Sequence, residues 1–462
     1  MGQEERLKEL ASAPVGKLLW KYSVPAVVGI MVMSLYNIID RIFIGQGVGP
    51  DAIAGLAITF PVMNVSAAFG VLVGVGASSR ISIVLGGGYK RMAEHILGNS
   101  IVMTLVFGTF YIAMFGVFMD SILRLFGASD VSLPYARDFM MWILPGLMFN
   151  NLTYSYNNVM RATGYPTKAM VTMFIGAGLN VILAPIFIFW FGWGIKGAAI
   201  ATDIAMGTSM VFVMAHFFNK KSLIHFTPGT YRLQRKVLYP IFAIGAAPCI
   251  VNTAGCLVNA VINHKVFDYG GDSAVAAISI FTSITGLIVT FVIGVCQGMQ
   301  PIVGYNYGAK RYDRLKRTFW LTVLVTTAAC TLGCVLCEAA PGLIARMFTT
   351  DGPLIRETVN ALRLTIWMFW AVGFQIVVTN FFQSIGEAGK SIFMSLTRQV
   401  IFLLPMLFTF PAFWQLNGVW LSFPISDAFA TLVAAVLITI ELRKINGWVA
   451  SPHKDLKPPE LP

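Results

Sequence analysis

Charge is what this chain has least of. Of its 462 residues only 12% are Asp, Glu, Lys or Arg, while 56% are hydrophobic. A soluble domain carries about twice that charged fraction, which argues against a free-standing water-soluble enzyme or binding domain. Histidine is scarce too. His95, His216, His225, His264 and His453 stand singly at span ends or in loops, with no paired-histidine metal motif among them. An intramembrane metalloenzyme therefore finds no ligand set here. Cysteine is confined to Cys249, Cys256, Cys296, Cys330, Cys334 and Cys337, all within apolar segments of the second half. That placement speaks against a disulfide framework or a loop zinc site. Cys334 and Cys337 have redox-motif spacing, but in an apolar helix they read as small packing residues. No potassium-channel type of carbonyl filter occurs. The first 17 residues are polar and of mixed charge, so no cleavable signal is expected.

What the chain has instead is long, continuous apolar runs. They lack the alternation of a membrane barrel, so the spanning elements are helices. Twelve runs approach or exceed the ~20 residues that cross a bilayer: 17–45, 52–79, 92–119, 134–160, 168–190, 195–218, 237–264, 273–301, 317–340, 356–383, 391–413 and 418–441. The net charge of +12 is no nucleic-acid footprint, because the basic residues gather in alternate short loops. By the positive-inside rule both termini lie in the cytoplasm, as expected of a multi-pass protein of a prokaryotic cytoplasmic membrane.

The basic linker 219–236 divides the chain into halves that resemble each other at a shift of about 222 residues. The segment 51–58 matches 273–280, Gly86 with its following basic run matches Gly308, and 164–168 matches 386–390. Each match is weak, but the shared offset is hard to produce by chance. Six spans per half set both copies the same way up, a transporter arrangement with its site between or within the bundles. The expected fold is all-α, with 12 transmembrane helices in two pseudo-symmetric six-helix lobes. Their limits are 1–218 and 237–445, with a cytoplasmic tail over 446–462.

Inside the first span, Tyr36, Asn37 and Asp40 are three and four residues apart and share one helical face. A carboxylate in a spanning helix costs about 2.5–3.5 kcal/mol on insertion scales, so it usually faces a cavity and is functional. The plainer alternative is a membrane-edge aspartate paired with Arg41 for topology. The fourth span carries a polar stripe of Asn150, Tyr154, Asn157, Asn158 and Arg161, suited to lining a cavity or to hydrogen bonding between the halves. Glu387 and Lys390 read as surface charges.

The chain resembles the multidrug and toxic compound extrusion (MATE) transporters over nearly its whole length. The features that carry this are the segment 74–86, Arg161 to Gly164, Leu179-Asn180, the run 297–310, and Gly418 opening the last span. The resemblance implies two lobes, outward- and inward-facing states, and export of amphipathic, often cationic drugs against protons or sodium ions, with no other cofactor. Within the family it looks like the branch whose coupling carboxylate lies on the first helix, here Asp40. Asn180 and Thr202 match polar positions of the same lobe, so Asp40, Asn180 and Thr202 form a possible sodium site. Asn180 serves equally well as a helix–helix hydrogen bond, and Thr202 as helix packing. The family's fifth-span acid is replaced by Ala184, and Asp203 on the sixth span is expected to take its place. Tyr36, Asn37, Asn157, Met173, Met206, Asn259, Gln297 and Gln375 are the expected substrate-cavity residues. A monomer in the lipid bilayer is expected, with no enzymatic activity. A lipid or lipid-linked-glycan flippase of the same superfamily is the rival reading, which a cavity lined with basic residues would favour.

Overall fold

The computed structural model describes residues 3–450, so most of the tail expected at 446–462 lies outside the described residues. Every regular element among those residues is helical: α1 (Gln3–Ser12), α2 (Val15–Gly47), α3 (Pro50–Gly86), α4 (Lys90–Leu125), α5 (Leu133–Ala162), α6 (Pro166–Pro185) and α7 (Gly194–Phe218). After the linker come α8 (Arg235–Gly308), α9 (Tyr312–Ala339), α10 (Pro341–Phe348), α11 (Gly352–Thr365), α12 (Val372–Ser384), α13 (Ala388–Leu396) and α14 (Leu404–Ala450). Two π turns interrupt the series, Ile186–Trp190 after α6 and Thr397–Leu403 between α13 and α14.

Among the described residues eight helical stretches are long and apolar enough to cross a membrane, or nine if α11 and α12, bent by 56° at their junction, act as one. Two of them exceed any single span. The 74 residues of α8 would reach about 110 Å at 1.5 Å per residue, against a core of ~30 Å. Their helical path breaks at Gly271 (φ 63°, ψ −161°), a backbone state that glycine alone enters readily. The stretch Ala388–Gly447 breaks likewise at Gln415 (φ 48°). Missing from the apolar set is α5, which bears the polar stripe. Proline supplies several starts: Pro50, Pro166, Pro341 and Gly352-Pro353 open helices, where a missing N–H costs nothing.

The linker, α1 and the loops after α3, α5, α8 and α12 share one face, called the linker face below. Short α1 was not legible as a helix among the first polar residues, and it ties both halves together there. Arg6 Nη1 donates to Gly164 O at 2.9 Å and stacks 4.1 Å over the Tyr165 ring in the first half. From the second half, Arg311 Nη1 donates to Ala11 O (2.6 Å) and Arg314 Nη2 to Ala13 O (2.7 Å). Leu7 packs with the first half's core and Leu10 with the second's. Lys390 also departs from expectation. Instead of standing free on the surface it bonds the fully buried Glu441 of α14, with Glu387 beside it.

The halves meet along α3 and α8, and the contacts repeat about a pseudo-two-fold axis. A Cβ on Gly86 would lie 2.0 Å from Tyr305 O, and one on Gly308 would lie 1.9 Å from Ile83 O. These two contacts exchange under the 222-residue shift. Gly76 and Gly298, also 222 residues apart, likewise touch the other half, at Ile241 O and at Ser23, partners one helical turn out of the repeat's register. Near the axis Gln300 Nε2 donates to Ser79 Oγ at 2.5 Å and reaches Ser78, its own counterpart in the repeat, at 3.4 Å. Backbones this close leave no room for side chains, so glycine is required. All these residues lie in the linker-face half of their helices.

Candidate functional site: a polar cavity in the first half

Four helices of the first half enclose a cavity holding roughly 600 Å³ of empty space, its open mouth included. Met33 and Tyr36 of α2, Asn150, Tyr154, Asn157 and Arg161 of α5, Met173, Gly176 and Asn180 of α6, and Thr202 and Met206 of α7 are among its walls. Each helix contributes at three- and four-residue spacing, so a single face of each is turned inward. α2 comes close to α6 because Gly29 has no side chain: a Cβ there would meet Met173 Sδ at 2.4 Å.

The polar wall is partly tied and partly free. Asn180 Nδ2 donates to Thr202 Oγ1 at 2.8 Å, and Thr202 Oγ1 donates to Ala198 O at 2.9 Å. Asn180 Oδ1 is left buried without a partner. Arg161 donates from Nη1 to Asn157 Oδ1 and from Nη2 to Asn158 Oδ1, both at 2.7 Å, and Asn157 Nδ2 donates to Ala169 O at 2.7 Å. The fourth-span stripe thus lines the cavity and bonds within its own half. Asp40 lies one turn beyond Tyr36, away from the linker face. It is not among the lining residues, and its Oδ1 is buried without a hydrogen bond. Two unpartnered oxygens, Asp40 Oδ1 and Asn180 Oδ1, therefore sit on neighbouring helices. A buried acceptor without a donor costs about 1–3 kcal/mol, a cost that a proton or a bound cation removes. Among the described residues no group of three or more His, Cys, Asp or Glu could hold a metal, and the cavity's lining offers neutral oxygens.

Of the expected site residues, Tyr36, Asn157, Met173, Asn180, Thr202 and Met206 come together in this cavity. The others do not. Asn37 is exposed and returns its Nδ2 to Met33 O of its own helix. Asn259 is exposed on α8. Gln297 lies within the inter-half segment of α8 with Oε1 unpartnered. Gln375 is 4% exposed and donates to Asp427 O (2.8 Å) and Thr431 Oγ1 (2.7 Å) inside the second half.

Asp203 is also elsewhere. Its carboxylate presses against Gly146 of α5, where an added Cβ would lie 1.8 Å from Oδ1. It borders a separate outer groove with Phe149, Ile204, Thr208 and Val211. Ala184, whose missing acid it was expected to replace, is fully buried in an apolar cluster with Ile44 and Ile188. Thr202 and Asp203 are consecutive, and a helix turns about 100° between them, so one faces the cavity and the other leaves it. Asp203→Asn is therefore expected to leave efflux within about twofold of the parent at matched expression. The Asp203→Ala/Ala184→Asp double variant should show no rescue over Asp203→Ala, as measured by drug accumulation in cells.

Sequence reasoning missed the charges of the last two spans. Arg398, in the π turn Thr397–Leu403, and Asp427 of α14 form an ion pair with Nε to Oδ1 at 2.6 Å, with Asp427 only 3% exposed. An arginine and an aspartate inside apolar runs were the available signal.

Comparison with known proteins agrees with this architecture. The MatE family model matches the chain twice, at residues 25–186 and 244–409, one copy in each half. The multidrug export protein MepA of Staphylococcus aureus (strain MSSA476) is 26% identical over 442 residues, covering 96% of this chain and 97% of that protein. MepA of Staphylococcus haemolyticus (strain JCSC1435) is 25% identical over 437 residues, 94% of this chain and 96% of its own. The fold is shared with solved structures at 24% identity. A crystal structure of MATE in the bent conformation superposes with a TM-score of 0.91, covering 96% of this chain and 99% of that one. An outward-facing multidrug resistance MATE family transporter of the MOP superfamily superposes with a TM-score of 0.88, covering 95% and 98%. With the family model matching most of its length in two copies, the chain belongs to the MatE family, a family of membrane transporters and not of enzymes.

Proposed function

We propose that this protein is a secondary-active multidrug exporter, which exchanges protons or sodium ions for amphipathic, often cationic small molecules by alternating access. On this reading its helices form 12 spans in two six-helix lobes, α8 and the stretch after α12 each supplying two spans. The termini and the linker face are cytoplasmic. The observation that carries the proposal is the first-half cavity, where an unpartnered Asn180 oxygen meets three methionines, with Asp40 one turn beyond the lining residue Tyr36 and its Oδ1 buried without a partner. Thioether side chains repack around varied apolar cargo, and a carboxylate holds a proton, a sodium ion or the charge of a drug. A group that cannot hold two of these at once makes their fluxes opposite in direction. Burial favours a carboxyl group's neutral form and a neighbouring cation its charged form, which is how occupancy and conformation become linked.

The inter-half contacts gather towards the linker face, which fits an outward-open arrangement. In the lining the one arginine, Arg161, is held by Asn157 and Asn158, so the wall is not the basic surface that a lipid-phosphate flippase requires.

The test is transport by purified protein in proteoliposomes with pH and sodium gradients imposed separately. Uptake of a fluorescent organic cation should be driven by one gradient or both. Equal uptake with neither gradient present would overturn the antiport reading.

A further inference from the structure

The second half holds an ion pair, Asp427 buried and Arg398 half-buried, for which the drug cavity has no use. Arg398 Nε donates to Asp427 Oδ1, and Gln375 binds the backbone and neighbour of that aspartate. Beside the pair, Gln375 Oε1 is buried without a partner. Desolvating two charges commonly costs more than their attraction returns, and apolar residues of similar volume often do as well or better. A second reason for the pair to exist is given by the repeat.

The reciprocal contacts of Gly86 with Tyr305 and of Gly308 with Ile83 fix the shift between halves at 222 residues. Under that shift Arg398 falls on Gly176 and Gln375 on Thr153. Asp427 falls, to within one residue, on Ala205 or Met206. Each of these first-half residues lines the cavity. The same region of the two bundles thus holds a cavity edged by glycine and alanine in one half, and a guanidinium with its carboxylate in the other.

We infer that the second half contains the counterpart of the first-half cavity, with the Arg398 side chain lodged in it as a tethered ligand. Asp427 is the recognition carboxylate of that site, and the class of ligand it takes is a small planar guanidinium. The tether keeps free cations out of this half and leaves the first-half cavity as the open member of the pair. The inference rests on the geometry of the pair and the repeat, and it stands whether or not the protein exports drugs.

The experiment uses the full-length protein in detergent, with methylguanidinium at millimolar concentration as the free ligand and thermal unfolding as the readout. Arg398→Ala should melt several degrees below the parent, because it strands a buried carboxylate. Methylguanidinium should restore most of that loss. Tetramethylammonium, which lacks N–H donors, and sodium chloride should not. The Arg398→Ala/Asp427→Ala double variant should gain nothing from methylguanidinium. An equal gain in the double variant, or equal restoration by sodium chloride, would overturn the proposal. Should Arg398→Ala give no folded protein, methylguanidinium present during extraction must recover a monodisperse species, and failure to do so counts against the site.

Discussion

Asp40→Asn is expected to abolish coupled efflux while leaving the fold intact. The substitution keeps the shape of the side chain and removes a carboxylate one turn beyond the cavity wall that can exchange a proton or neutralise a cation. Asp40 Oδ1 makes no hydrogen bond, so no structural contact is broken at that atom. A buried charge is also more costly to keep than a neutral amide. The variant should therefore unfold at the parent's temperature or slightly above it. Drug resistance in cells expressing the two proteins equally should fall to the level of cells without transporter, a loss of tenfold or more in gradient-driven flux. Parental resistance at matched expression would remove Asp40 from the coupling step. Loss of resistance together with loss of folded protein would mean that the residue is structural.

The second large effect lies at the linker face. Gly76→Ala and Gly298→Ala should each prevent the two halves from closing there. A Cβ on Gly76 would stand 2.0 Å from Ile241 O, and one on Gly298 would stand 2.3 Å from Ser23 Oγ and 2.6 Å from its backbone. Main chain cannot rotate out of the way as a long side chain does. Overpacking of this kind costs about 1–3 kcal/mol, which shifts a two-state population by roughly 5- to 150-fold. The cost falls only on the state in which these helices touch, so the open linker face becomes the resting form. A single cysteine at Ser79, in a background without the six native cysteines, should then react faster with a membrane-impermeant thiol reagent from the cytoplasmic side. Efflux should fall in parallel. Because the two glycines hold equivalent positions of the repeat and each abuts main chain of the other half, both effects should appear; unchanged reactivity in both would show that these contacts do not form the gate.

Much of the architecture is written in one dimension. Apolar runs must be spanned as helices because lipid offers no hydrogen-bond partner to an open backbone, so the expected spans fall in helical segments from α2 to α14, of which eight or nine stretches among the described residues are long and apolar enough to cross a membrane. The helices overrun the apolar limits, as in α3, expected over 52–79 and observed over Pro50–Gly86, because a helix continues into the interface wherever its own hydrogen bonds are satisfied. The repeat offset was equally legible, and the contacts of Gly86 and Gly308 obey it.

What sequence alone could not decide was which face of each helix meets which neighbour. Asn180 and Thr202 met across two helices, whereas Asp203, one residue on, was turned about 100° away to Gly146. Polarity marks a residue as one that must avoid lipid, but a cavity, an ion pair and a helix contact all satisfy that demand equally. So Gln375, expected in a substrate site, was taken up by Asp427 and Thr431, and Lys390, expected at the surface, by Glu441. Short α1 was hidden for the same reason. Its two apolar anchors, Leu7 and Leu10, and its bonds to Gly164, Arg311 and Arg314 acquire partners only when both halves are assembled beneath it. The sequence determined the helices, their order and their duplication. The tertiary structure alone decided which polar groups stay free to act, because a group is free only when packing has left it without a partner.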